Sequence, residues 1–370
     1  MKSKPPAQPV DCACAEKWRA TQVVMPASGI PAAAALLAAG EVVALPTETV
    51  YGLGGAALDP LACAKIFDAK ARPLSDPLIV HIPSRDWLDR VAEVSASAAR
   101  LAEHFWPGPL TLVLPRRRIV PDIVTAGQET VAVRMSSHPV FQAVLQAYGK
   151  PVAAPSANRF GRISPTSAED VFAELGGRIP LVLDGGHCEH GVESTIVLVR
   201  GSELHILRNG PVTAEELAPF GAVLGRVAGI SAPGGLTSHY APRTPLVIAY
   251  PPAAGEPHPG GTLVLAGGRC SVSADFLRSE ISDGTEAIPP EQMEGRRASA
   301  GLLAWQNDGD GYAHVEHLSK TQDLREAAAN LYGAMRRLDA AGLDWIVAEP
   351  LPEAGLGAAI MERLRKAAAR

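Results

Sequence analysis

Lys70 and Arg72 stand two residues apart, immediately before Pro73, in the run DAKARP. Lysine is a mobile point charge and arginine a planar fork, so together they suit a phosphate chain or a carboxylate. The same pair would also make a favourable cationic helix C-terminus. Spacing alone leaves the two readings even. Ala154-Pro-Ser156-Ala-Asn158 closes a strand-like run, where a hydroxyl and an amide can reach one pocket edge. By itself that pattern reads first as an Asx or Ser turn. Glu193-Ser194-Thr195 opens another strand with the same ambiguity. His81 lies in the apolar run Leu78–Ile82. Hydroxyls, two cations and an imidazole inside Leu45–Ile82 add up to a pocket for an anion and a small molecule.

Other motifs carry less. Gly52-Leu-Gly-Gly-Ala-Ala57 fits the loose dinucleotide pattern GxGxxG/A, but Leu58-Asp59-Pro60 separates it from the next helix. A plain turn that lets the backbone approach a ligand is the preferred reading. Asp184-Gly-Gly-His187-Cys188-Glu189-His190 resembles a metal loop, yet it lacks helical spacing and a second cluster. No GxSxG elbow and no GxxxxGK[ST] phosphate loop is present.

The elements that must position these residues alternate loosely between strand and helix. Asp59-Pro60 has the chemistry of a helix cap followed by a first-turn proline, and that helix should end before Pro73. Strands are expected at 41–45, 78–82, 110–114, 130–135, 152–156, 181–184, 194–199 and 203–208, with helices at 30–39, 84–94, 97–105, 138–148 and 168–175. This is a mixed sheet with helices rather than a regular βαβ array. Residues 229–245 read as a linker, an unusual one because His239, Tyr240 and Arg243 sit among its prolines. Beyond it a second α/β domain is expected, with strands at 245–250, 262–266 and 345–348 and helices at 321–340 and 356–369.

Composition sets the outer bounds. A chain of 370 residues with 47% hydrophobic and 20% charged residues suits two globular domains. A net charge of −5 argues against general attraction to nucleic acid. Five scattered cysteines, including Cys12 and Cys14 in a loose tail, do not make a disulfide framework, which favours a reducing cytoplasm. No apolar run is long enough to span a membrane.

Taken together, PTETVYGLG, KARPLSDPLIVHI, FWPGPLTLVL, APSAN with ISPTS, ESTIVLV and ILRNG occur in the order of the YrdC-like threonylcarbamoyl-AMP synthase domain. APGGLTSHYAP and AGLDWIVAEPLPEAGLGAAIMERLRKAA resemble the linker and C-terminal domain of its long form. The likeness covers about residues 20 to 370. It implies a tail over 1–19, a YrdC-like catalytic domain over 20–215 built on a twisted mixed sheet, a linker or lid over 229–245, and a smaller Rossmann-like α/β domain over 246–370. The implied reaction joins L-threonine, bicarbonate or CO2 and ATP into threonylcarbamoyl-AMP, releasing pyrophosphate. ATP would bring Mg2+. A partner complex would then use the product to modify tRNA, and weak direct tRNA binding is compatible with such a domain.

By the same resemblance, Lys70, Arg72, Ser156 and Asn158 form the signature around the phosphates and carbamate. Thr47, Tyr51, His81, Arg134 and Ser194 fall to threonine, and Arg208 and Tyr240 to the nucleotide, with Tyr240 a lid. Asp76, Phe160 and Arg162 depart from the family pattern. Asp76 would place a negative charge near the phosphates. Two other readings stay open. One is a non-catalytic double-stranded-RNA or tRNA-binding module. The other is a carbamoyl-transfer domain of hydrogenase maturation, whose usual acylphosphatase-like and zinc-finger-like companions are not visible in this sequence.

Overall fold

Val42 and Ala44 pack into one hydrophobic cluster, and Val43 and Leu45 into another. Successive strand residues point to opposite faces, so a strand buried at every position must be covered on both sides. That constraint organises the larger domain of the computed structural model, which describes residues 20–227, 240–249, 264–266, 269–271, 299–309 and 311–369. The tail 1–19 with Cys12 and Cys14, linker residues 228–239 including His239, and most of 250–298 lie outside the described residues.

Eleven strands form one mixed sheet. They are β1 (Gln22–Val24), β2 (Val43–Leu45), β3 (Gly52–Ala56), β4 (Ile79–His81), β5 (Leu110–Pro115), β6 (Thr130–Arg134), β7 (Val152–Ala153), β8 (Leu181–Leu183), β9 (Thr195–Arg200), β10 (Glu203–Arg208) and β11 (Ala222–Leu224). Their spatial order is β1-β8-β2-β3-β7-β4-β6-β5-β9-β10-β11. At the centre β4 runs parallel to β6, with His81 beside Arg134, and antiparallel to β7. Helix α1 (Pro26–Ala38) and the helix Pro139–Tyr148 cover one face through Ala33, Leu37, Phe141 and Leu145. Helix α2 (Pro60–Lys70) and the helices Ala96–Phe105 and Ala168–Leu175 cover the other through Ile66, Leu101 and Val171. Asp59 caps α2 by accepting from the Leu61 amide at 2.9 Å, and Ala71 ends it at φ 52°.

The smaller domain holds a four-stranded parallel sheet in the order Leu246–Ile248, Trp345–Ala348, Ala300–Ala304, His314–His317. The helices Leu324–Ala340 and Leu356–Ala368 pack with it. The expected mixed α/β domain followed by a second α/β domain is what the chain forms. The two share a core: Val50, Ile163 and Val192 join Tyr240, Leu331, Tyr332, Met335, Ile360 and Leu364 in one cluster.

Several local expectations need correction. The Gly52–Ala57 stretch is not a turn but β3, buried at all five strand positions. Its glycines make room for neighbours: a Cβ on Gly54 would lie 2.9 Å from Val152 Cγ1, and one on Gly55 would lie 3.1 Å from Ile66 Cδ1. The helix expected at 84–94 is a 3-10 turn, Arg85–Trp87, followed by Leu88–Val91. Strands β1, β11, Ala300–Ala304 and His314–His317 had no sequence reading.

Gly210 follows β10 against the entry to β9. A Cβ there would meet Thr195 N at 2.4 Å, Glu193 O at 2.5 Å and Ser194 C at 2.6 Å. Backbone cannot yield as a side-chain tip can. Gly210→Ala should therefore cost about 1–3 kcal/mol, the range of an overpacked interior site. Urea unfolding that leaves the midpoint unchanged would show that the two strand ends tolerate separation.

Candidate active site

A cleft is lined by Thr47, Thr49, Arg72, His81, Arg134, Ser156, Glu193, Ser194, Arg208 and Tyr240, with Val50, Ile79 and Ala154 as apolar wall. These residues come from the β2–β3 connection, the exit of α2, the ends of β4 and β6, the segment after β7, the entry to β9, the end of β10 and, for Tyr240, the segment before Leu246. Residues distant in sequence are thus gathered by the order of the sheet.

Each cation of the cleft is held by the protein before any ligand arrives. Arg72 pairs with Asp76 at 2.9 Å and donates to the Pro77 carbonyl at 2.9 Å; both side chains are almost wholly buried. Asp76, expected to burden the phosphate site, instead fixes the guanidinium there. Arg134 pairs with Glu48 at 2.6 Å and donates to the Thr49 hydroxyl at 3.0 Å. Ser136 donates to the second oxygen of Glu48. Arg208 donates to the Ser194 carbonyl and to its hydroxyl, both at 3.0 Å, and Ser194 in turn bonds Thr111 at 2.8 Å.

Thr47 organises its own loop. Its hydroxyl donates to the Val50 carbonyl at 2.6 Å and accepts from the Thr49 and Val50 amides. His81 is 2% exposed, and its Nδ1 has no protein partner among the described residues. Burial and the neighbouring Arg134 push its pKa down to about 3, so the imidazole is neutral at physiological pH.

Three sequence-predicted residues act from behind the wall. Lys70 is 1% exposed and donates to the backbone carbonyls of Ser156 and Asn158. Burial, with Arg72 nearby, lowers its pKa well below the usual lysine value. Asn158 donates to the Arg159 and Arg162 carbonyls at 2.8 Å each, shaping the loop after Ser156. Tyr51 donates to the Gly186 carbonyl at 2.7 Å and accepts from the Gly185 amide at 3.1 Å. This bond makes the Asp184–His190 loop a backing for the cleft. No group of three or more His, Cys, Asp or Glu among the described residues could hold a metal.

Tyr240 lines the cleft, 1% exposed, with a left-handed φ of 63°. Its ring stacks on Tyr332 at 5.8 Å, and the Arg363 guanidinium sits 5.5 Å from its centroid. Glu193 accepts from Ser164 at 2.5 Å, from Tyr332 at 2.9 Å and from Arg363 at 3.0 Å. Arg162, one of the departures, bridges toward Asp339 at 3.7 Å, and the Ala241 amide donates to the Gly161 carbonyl at 2.9 Å.

Sequence reading assigned no role to Glu48, Thr49, Tyr332 or Arg363. Arg363 did leave a signal. It falls within the apolar stripe of the C-terminal helix, among Ile360, Leu364 and Ala367, where a charge needs a buried partner.

Two family models match the chain. One, for the Sua5, YciO and YrdC proteins and described as "Telomere recombination", matches residues 35–210; the other, "Threonylcarbamoyl-AMP synthase, C-terminal domain", matches residues 212–369. The threonylcarbamoyl-AMP synthase of Pyrococcus abyssi is 39% identical over 344 residues, 90% of this chain and 92% of the relative. That of Bacillus subtilis is 40% identical over 356 residues, 92% of each. The crystal structure of P. abyssi Sua5 complexed with L-threonine matches with a TM-score of 0.77 and 36% identity, covering 94% of this chain and 98% of that one. Among the described residues no helix is long and apolar enough to cross a membrane.

The charges of the cleft set a pH dependence. Burial alone would raise the carboxyls of Glu48 and Glu193, but Arg134 and Arg363 with their hydroxyl donors outweigh it and hold both at about 2, against an ordinary 4.5. A depressed carboxyl stabilises the fold above its unfolded pKa, and that contribution drains away as pH falls from 4.5 to 2. His81, depressed from 6.5 to about 3, adds a loss that begins as pH falls below 6.5, because the unfolded imidazole takes up the proton first. Thermal midpoints should therefore decline steadily on acidification from neutrality. Glu193→Gln should flatten the limb below pH 4.5, and an acid limb as steep as the wild type's would contradict this assignment.

Proposed function

The chain belongs to the threonylcarbamoyl-AMP synthase family in its two-domain form, and we propose that the cleft beneath Tyr240 is where it joins L-threonine, bicarbonate or CO2 and ATP. The observation that carries the assignment is the convergence of Arg72, Arg134 and Arg208 on one cleft with Thr47, Ser156, Ser194 and a neutral His81. Three fixed guanidinium groups suit a triphosphate and two carboxylates, and the hydroxyls and imidazole suit an amino acid that bears its own hydroxyl.

The chemistry runs in two steps. The threonine amine adds to CO2 and loses a proton, giving a carbamate. A carbamate oxygen then attacks the α-phosphorus of ATP, and the bond to the bridging oxygen breaks as pyrophosphate departs. Such a displacement asks mainly for positioning and for cations already aimed at the developing charge. In this reading Arg72 and Arg208 serve the nucleotide, and Arg134, with Thr47, His81 and Ser194, serves threonine. Lys70, Asn158 and Tyr51 act through the loops they tie: Lys70 sets the Ser156–Asn158 carbonyls, and Tyr51 sets the Gly185–Gly186 turn. Tyr240 covers the nucleotide and limits water, which would hydrolyse the mixed anhydride.

The carboxylates at the cleft and behind its arginines, Glu193, Glu48 and Asp76, are engaged by Arg363, Arg134 and Arg72. Mg2+ would accordingly arrive with ATP and supply neutralisation of phosphate charge. In this reading the product passes to a tRNA-modifying transfer complex in the cytoplasm.

Pyrophosphate release from ATP tests the assignment. It should require both L-threonine and bicarbonate, and Arg72→Met should reduce it on the order of 100-fold, the cost of removing one preorganised donor. Release that ignores threonine would point to another acceptor. Salt-sensitive retention of RNA without any ATP turnover would make the domain a binding module.

A further inference from the structure

Arg363 lies in the C-terminal helix, outside the catalytic domain, and is fully buried. Its guanidinium reaches two backbone positions that flank residues of the cleft. Nε meets the Glu193 carboxylate at 3.0 Å, Nη2 donates to the Glu193 backbone carbonyl at 3.3 Å, and Nη1 donates to the Asn209 carbonyl at 2.6 Å. Glu193 immediately precedes Ser194, and Asn209 immediately follows Arg208. One planar group thus spans the entry of β9 and the exit of β10, the two points from which Ser194 and Arg208 enter the cleft. Tyr332, on the helix Leu324–Ala340, closes the arrangement by donating to Glu193.

Resting on the reading of the cleft given above, we propose that Arg363 is a positioning residue for the synthase reaction: the C-terminal domain sets the spacing of Ser194 and Arg208 through the Glu193 and Asn209 backbone. A lysine cannot reproduce this, because its single ammonium lacks the fork that reaches a carboxylate and two carbonyls at once. Glu362, on the same helix, joins this seam by accepting from the Asn209 amide at 2.9 Å, whereas Arg336 joins the domains elsewhere. Arg336 meets Glu174 at 3.3 Å and Asp170 at 3.6 Å and donates to the Ile163 carbonyl, and none of these residues lines the cleft. Arg336 therefore reports on docking, and it reaches the loop after Ser156 only at one remove, through the Arg159 amide that Glu174 accepts at 3.4 Å.

The experiment compares the full-length wild type with Arg363→Met, Arg363→Lys, Tyr332→Phe and Arg336→Met. Pyrophosphate release is measured against ATP and L-threonine, well below the unfolding midpoint of each variant, with ATP binding followed by calorimetry. Arg363→Met should lower kcat/KM for ATP on the order of 100-fold, as a displaced catalytic framework does. Arg363→Lys should recover only part of this, and Tyr332→Phe should lose several-fold in the same direction. Arg336→Met should lower the unfolding midpoint yet keep kcat/KM within about twofold, as expected of a side chain that touches no residue lining the cleft. Matching losses in Arg363→Met and Arg336→Met would overturn the proposal. If Arg363→Met fails to fold, Tyr332→Phe decides, and wild-type kinetics in that variant would refute the proposal. A wild type that does not need threonine would remove the reading of the cleft. Arg363 would still stand or fall on whether Arg363→Met weakens ATP binding where Arg336→Met does not.

Discussion

The ion pair between Glu193 and Arg363 is the interaction on which the rest of the molecule leans. Both side chains are out of water, and removing two charges from solvent is expensive. Attraction alone rarely offsets that cost; saturation of the remaining donors and acceptors does. Here Ser164 and Tyr332 occupy the carboxylate, and Asn209 and the Glu193 carbonyl occupy the guanidinium. Because every group is engaged, deleting one member strands the others, which in buried pairs costs about 3–5 kcal/mol. The pair therefore commits the two domains to a single arrangement.

The same economy governs the cleft. Arginines facing an unoccupied polar site would repel one another and fold against the wall. Each is instead tied to a neighbour: Arg72 to Asp76, Arg134 to Glu48, Arg208 to Ser194. The site keeps its cations oriented without presenting them as a bare positive patch, consistent with a chain whose net charge is negative. Orientation fixed during folding need not be supplied during the reaction. Lys70 extends this logic one layer outward, holding the Ser156 and Asn158 carbonyls behind one wall of the cleft.

How much of this was legible in the sequence follows from the range of the interactions. Asp59-Pro60 and the Lys70–Pro73 exit are local signals, and α2 begins and ends where they indicate. The chemical residues were legible as types, and the cleft gathers Arg72, His81, Arg134, Ser156, Ser194 and Arg208. Their division of labour was not, because whether Lys70 faces a ligand or a backbone carbonyl depends on a loop 86 residues away. Gly52–Ala56 was misread for a related reason. Its glycines answer to Val152 and Ile66, which periodicity within the segment cannot reveal. Arg363 was hidden by distance: its partner Glu193 lies 170 residues earlier.

Glu193 and Arg363 act as one unit across the domain boundary. A double-mutant cycle with Glu193→Gln and Arg363→Met, read by urea unfolding at neutral pH, tests it most directly. Contacting residues in one network typically show a coupling of about 0.5–3 kcal/mol. The structure predicts a coupling toward the upper end, with the double variant less destabilised than the two single variants summed. Strict additivity would mean that the two side chains contribute independently, and that the cleft does not depend on the C-terminal domain through this pair.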